Sequence, residues 1–157
     1  MVAITGELLD RLTAEARNHP RRRKNFNLHP SDDFCCHRLL NAVEPGSYVP
    51  PHCHLDPAKD ESMIILRGCL GIVTFDAAGN VTDRQLLRPG GDTVAVDLPH
   101  GSFHSIVSLE SGTVFFEAKA GPYLPLAAAE KAGWAPAEGD PRAVAYLAAL
   151  EGLFHQS

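Results

Sequence analysis

With 157 residues, 45% of them hydrophobic and 21% charged, the chain can bury one core of its own and is too apolar to be a disordered segment. Its net charge of -5 offers nucleic acid no general attraction, the local exception being Arg21-Arg22-Arg23-Lys24. No apolar run approaches the roughly 20 residues that cross a bilayer, and Glu7, Asp10 and Glu15 break up the N-terminal apolar positions, so a cytoplasmic protein without a signal peptide is expected.

In chain order, residues 4 to 18 predict a helix: Thr5 is a good N-cap, and Ile4, Leu8, Leu12 and Ala16 recur at helical spacing. Asn18-His19-Pro20 ends it, because the residue before proline avoids the α region. Arg21 to Pro30 reads as a polar connection with two apolar anchors, Phe26 and Leu28. From Phe34 to about Ala118, eight short apolar runs alternate with turn clusters. They cover residues 35–43, 48–54, 62–67, 70–75, 82–87, 93–97, 103–109 and 113–118. That texture predicts a β-sandwich or barrel. Asp76 to Asn80 is the clearest hairpin turn, with Gly79 or Asn80 suited to positive φ. After Gly121-Pro122 the chain turns alanine-rich, with one or two helical turns at 126–131 and a last helix from Pro141 to Leu153. The 4 cysteines form no CxxC pair, and reduced, packed thiols are expected.

The segment with the most chemical information is Gly46 to His54, followed by Glu61 and Gly68. Side chains alternate along a strand, so His52 and His54 share one face and Cys53 takes the other. Glu61 opens the next apolar run, and Pro99-His100-Gly101-Ser102-Phe103-His104 puts a turn before a strand that opens with another histidine. Chance HxH pairs and structural histidines are common, yet here two halves occur in order, each at a turn-to-strand junction. Three imidazoles and a carboxylate suit iron, zinc, nickel, manganese or copper rather than calcium or magnesium. One divalent transition metal ion is the cofactor expected.

These residues resemble the cupin superfamily. Its first motif is a glycine, five residues, His-x-His, three or four residues, a glutamate, six residues and a glycine. Gly46, His52, His54, Glu61 and Gly68 match it apart from a six-residue interval before Glu61. Pro99, Gly101 and His104 match the second motif, with the leading glycine displaced to Gly91 and Ser108 where asparagine is usual. The resemblance implies a mainly β fold: a double-stranded β-helix, or jelly-roll barrel, over residues 34–118 of a single domain. A helix at 4–19 would precede it and a helical extension at 126–154 would follow. It also implies metal ligation by His52, His54, Glu61 and His104. Arg23 to His29, the long interval containing Lys59, and Glu117-x-Lys119-x-Gly121-Pro122-Tyr123 resemble more narrowly the WbuC family of cupin-fold metalloproteins, a family without a defined activity.

Candidate ligand contacts are Tyr48, which shares the parity of the histidine pair, Arg38 within a strand, Lys59 on the adjoining loop, and Arg23 with His29 if their segment folds over the barrel mouth. An arginine fork suits a carboxylate or phosphate. The expected function is a metal-dependent enzyme acting on a small polar or anionic molecule, sugar derivatives included. Oxygenase, isomerase and lyase chemistry all stay open. The alternative is a non-catalytic metalloprotein that binds or senses a small molecule. Neither a nucleic-acid nor a membrane partner is expected, and a homodimer is the expected assembly.

Overall fold

A computed structural model describes residues 1–155. Helix α1 (Gly6–Asn18) is followed by strands β1 (Arg23–Asn27), β2 (Cys36–Val43), β3 (Glu61–Arg67), β4 (Leu70–Phe75), β5 (Val81–Leu87), β6 (Ala95–Leu98), β7 (Phe103–Ser108) and β8 (Thr113–Ala120). A short 3-10 turn (Ala128–Glu130) and helix α2 (Ala143–Gly152) complete the chain. The strands form two antiparallel sheets, a five-stranded one ordered β1-β2-β8-β3-β6 and a three-stranded one ordered β5-β4-β7. Among the described residues, no helix is long and apolar enough to cross a membrane.

Two-residue alternation divides the apolar side chains among three cores. Between the sheets lie Met63 and Ile65 of β3, Leu70 and Ile72 of β4, Ile106 and Phe115. The outer face of β2 and β8 gives Leu40, Ala42 and Val114 to a second core, closed by Leu8, Leu12 and Ala16 of α1. The outer face of β4 and β7 gives Val73, Phe75 and Val107 to a third, closed by Leu147 and Leu150 of α2. Each fully buried leucine contributes roughly 1.5–3 kcal/mol. Both faces of β4 are covered, which is why Leu70-Gly71-Ile72-Val73-Thr74-Phe75 is almost continuously apolar.

Two expectations are corrected. Arg23–Asn27 is not a connection but an edge strand, paired along its length with β2 from Arg23↔Val43 to Asn27↔Leu39. Tyr48–His54 is extended but is not a strand, and of these residues His52 alone forms bridges, to His104 and Lys131. Pro50 and Pro51 lack the N–H groups that a ladder would need.

Thr5 caps α1, accepting from the Leu8 N–H at 3.3 Å. Gly79 (φ +88) takes the left-handed position in the β4–β5 hairpin. Gly68 (φ +78) turns β3 into β4, and there a Cβ would lie 2.7 Å from the Thr113 Cα.

Candidate metal centre

His52 sits where the extended Tyr48–His54 segment meets the start of β7. Its N–H donates to the His104 carbonyl at 3.0 Å and the His104 N–H returns to the His52 carbonyl at 2.9 Å. This antiparallel pairing sets the two imidazoles side by side, with ring centroids 4.6 Å apart. Two residues on, the His54 carbonyl accepts from the Gly101 N–H at 2.7 Å, which aligns the segment further. Cys53 points the other way and is fully buried. Glu61 enters from the first position of β3, on the inner face. The six residues before it, which lengthen the family spacing, make a loop closed by the Lys59 N–H on the Asp56 carbonyl at 2.9 Å.

Donor atoms of His52, His54 and Glu61 all lie within 4.8 Å of one another. His54 Nε2 and His104 Nε2 each stand 3.4 Å from Glu61 Oε2. Four ligand bonds of about 2.1 Å to a common ion would space neighbouring donors roughly 3.0–3.4 Å apart, so the spacing suits a shared cation. Among the described residues, four buried side-chain nitrogen or oxygen atoms have no hydrogen-bond partner, and three of them, His54 Nε2, Glu61 Oε2 and His104 Nε2, meet here. Leaving buried polar atoms unsatisfied costs about 1–3 kcal/mol each, a cost that a bound cation would remove.

The imidazoles are held in the form that binds a metal. His52 Nδ1 lies 3.0 Å from the Pro50 carbonyl, and His104 Nδ1 lies 3.0 Å from the Ser102 carbonyl. A carbonyl only accepts, so each Nδ1 carries the proton and each Nε2 offers its lone pair. Burial, then the neighbouring His104, pulls His52 down to about 4, so it stays neutral. Burial pushes Glu61 upward, but His104, His54 and the Lys119 charge together outweigh it and hold the carboxylate well below its usual range. His104 moves the opposite way: burial lowers it, and the Glu61 carboxylate more than compensates.

A cavity of about 510 Å³ opens over this cluster, bounded by the inner faces of β1, β2 and β8. Register explains what lines it. His37, Lys119 and Glu61 are direct partners across β2, β8 and β3, and Leu39, Glu117 and Met63 form the next row on the same face. Lys119 Nζ lies 2.7 Å from Glu117 Oε1 and 3.5 Å from Glu61 Oε1. Glu117 Oε2 accepts from Asn41 Nδ2 at 2.7 Å. Burial, then the Glu61 charge, pushes Glu117 up to about 7 against the pull of Lys119.

Of the candidate ligand contacts, the structure brings Arg23 and His29 to the cavity wall. The Arg23 guanidinium is already engaged, by Glu138 Oε1 at 2.8 Å, the Tyr48 carbonyl at 3.1 Å and Ser47 Oγ at 3.3 Å. His29 stacks on His37, with ring centroids 4.0 Å apart and planes 8° from parallel. Three expectations are corrected. Arg38 has the opposite parity to His37 and Leu39, so it leaves the cavity and sits over the Phe34 ring. Tyr48 belongs to the α2 core and donates its hydroxyl to the Pro136 carbonyl at 2.8 Å. Lys59 is buried rather than solvated, its Nζ donating to the Pro122 carbonyl at 2.8 Å. Sequence reasoning did not assign Glu117, Lys119 or Asn41 to the site. The signal was there: two charges of like parity in a strand that is otherwise apolar.

Two facing antiparallel sheets with the histidine–glutamate cluster between them define a cupin-type barrel, and solved structures agree on the fold. The chain is similar to the TT1209 protein of Thermus thermophilus, with a TM-score of 0.54 and 21% identity over 76% of this chain and 97% of that one. It is similar to KdgF from Halomonas sp., with a TM-score of 0.52 and 19% identity over 68% of this chain and 85% of that one. A cupin superfamily protein from Desulfitobacterium hafniense matches with a TM-score of 0.51 and 16% identity, over 69% and 86% of the two chains. Within this fold the chain belongs to the family described as a domain of unknown function, DUF6016, whose model matches residues 4–87. No curated protein matches it.

Proposed function

We propose that the protein is a metal-dependent enzyme that binds one divalent transition metal ion through His52, His54, Glu61 and His104 and acts on a small polar or anionic molecule in the cavity above. The observation that carries this reading is the meeting of three unpartnered buried donor atoms, from three separate segments, at one point on the cavity floor. When bound, the ion would supply Lewis-acid chemistry, with iron adding redox chemistry, and four protein ligands leave positions free in a six-coordinate shell.

The remaining residues shape and charge the pocket. A divalent ion (+2), Lys119 (+1), Glu61 (-1) and an ionised Glu117 (-1) sum to about +1, with the histidines neutral. A net positive, partly buried site favours a monoanionic ligand. Arg23 does not serve as the clamp, because Glu138 neutralises it together with Arg21. The wall away from the cluster holds Asn25, Asn27, Asn41, His29 and His37. These donors and acceptors suit hydroxyl groups, which keeps sugar derivatives among the candidate ligands. The narrower WbuC-like assignment draws support from one fact. The two segments that carry that resemblance, Arg23–His29 and Glu117–Tyr123, line the same cavity.

The test is whether the ion has an open position. In cobalt-substituted protein, azide should shift the visible spectrum, as expected for an anion entering the coordination shell. A loaded protein whose spectrum ignores azide would be a closed structural site, and the enzymatic reading would fall.

A further inference from the structure

Lys119 poses a problem for the metal reading on which this inference rests. An ammonium beside Glu61 competes with a cation for the same carboxylate, and it repels that cation. Both residues are inward partners on adjacent strands, since Glu61 of β3 faces Lys119 of β8 directly. Left alone, the lysine would close onto Glu61.

The structure shows what prevents this. Glu117 lies two residues before Lys119 on the same inner face and draws Nζ to 2.7 Å from its Oε1, against 3.5 Å for Glu61 Oε1. Glu117 is itself tethered, because its Oε2 accepts from Asn41 Nδ2 at 2.7 Å. The ammonium is thus pulled toward β2 and away from the imidazoles. Glu61 keeps one oxygen, Oε2, buried and without a hydrogen bond, facing His54 and His104 at 3.4 Å each.

We infer that Glu117 is a positioning residue: anchored by Asn41, it holds the Lys119 ammonium off Glu61 and so leaves that carboxylate available to the metal. Removing the charge of Glu117 frees the lysine to pair with Glu61 and adds one positive charge to the pocket. Both effects weaken cation binding. Removing the lysine as well cancels both.

The measurement is zinc affinity, by competition against a chromophoric chelator, for the wild type, Glu117→Gln, Lys119→Met and the double variant, with the apo melting temperature of each as a folding control. Glu117→Gln should bind zinc at least about 10-fold more weakly, the scale of a lost outer-shell partner. Lys119→Met should bind as tightly as the wild type or more so. The double variant should return to within about 3-fold of the wild type, the pattern of two coupled neighbours. An unchanged Glu117→Gln, a double variant as weak as Glu117→Gln, or a weakened Lys119→Met would each overturn the inference. Should Glu117→Gln fail to fold, the direction of the Lys119→Met change decides alone. Absence of zinc binding by the wild type would overturn the metal reading, and this inference with it, which separates that failure from the others.

Discussion

Two buried glutamates show how differently the chain uses the same side chain. Glu44 is 2% exposed and fully satisfied: Arg17 Nε donates at 3.2 Å, Ser111 Oγ at 2.6 Å and the Gly112 N–H at 2.9 Å. Glu61 is 3% exposed, yet one of its oxygens has no donor at all. The first arrangement stabilises the fold, and the second leaves a valence open for function. Glu44→Ala should therefore cost about 3 kcal/mol, because it strands buried donors. Glu61→Gln should change apo stability by less than about 1 kcal/mol, since a buried charge with poor partners adds little. It should instead lower metal affinity by more than about 10-fold. Urea unfolding of the apo proteins, alongside a metal titration, checks both halves. The ligand residues were legible in the sequence because parity and order put His52, His54, Glu61 and His104 at strand openings. Tyr48 and Arg38 were misplaced for the same reason in reverse. Parity along one strand says nothing about which of two buried faces is the cavity, and both faces of β2 are covered.

At the scale of elements, what could be read depended on whether local pattern or distant pairing sets the structure. Helix α1 carries its own signals, a Thr5 cap and an apolar stripe of Leu8, Leu12 and Ala16, and it starts at Gly6 directly after that cap. β1 carries none: Arg23-Lys24-Asn25-Phe26-Asn27 has no two-residue alternation, and its strand form comes from the free edge of β2. Tyr48–His54 is the converse, a run with strand-like alternation that two prolines keep out of a ladder. The β3–β4 turn is set by sterics that a sequence only hints at. Gly68 has positive φ, and any Cβ there would meet Thr113 Oγ1 and Cα, while the Thr113 hydroxyl also accepts from the Cys69 N–H at 3.1 Å. Gly68→Ala should lower stability by at least about 2 kcal/mol through left-handed strain plus overlap with backbone. Thermal unfolding measures it, and a loss under about 0.5 kcal/mol would mean that the turn relaxes without cost.

For the whole molecule, three cores hold two sheets face to face, while the inner wall toward β1 and β2 departs from apolar packing and becomes a polar cavity. That departure is where function concentrates, because buried polar atoms there are costly unless a ligand completes them. The β content and both terminal helices could be read from periodicity. The cavity's charge could not. Glu61 and Lys119 stand 58 residues apart in sequence, and they meet only through the β3–β8 register, whose partners include Glu61↔Lys119 and Met63↔Glu117. The most direct measurement is elemental analysis of protein purified without added metal, for the wild type and for a His52→Ala/His104→Ala double variant. The account predicts close to one transition metal ion per wild-type chain and almost none in the variant. Equal metal content in the two, or none in either after loading, would contradict it.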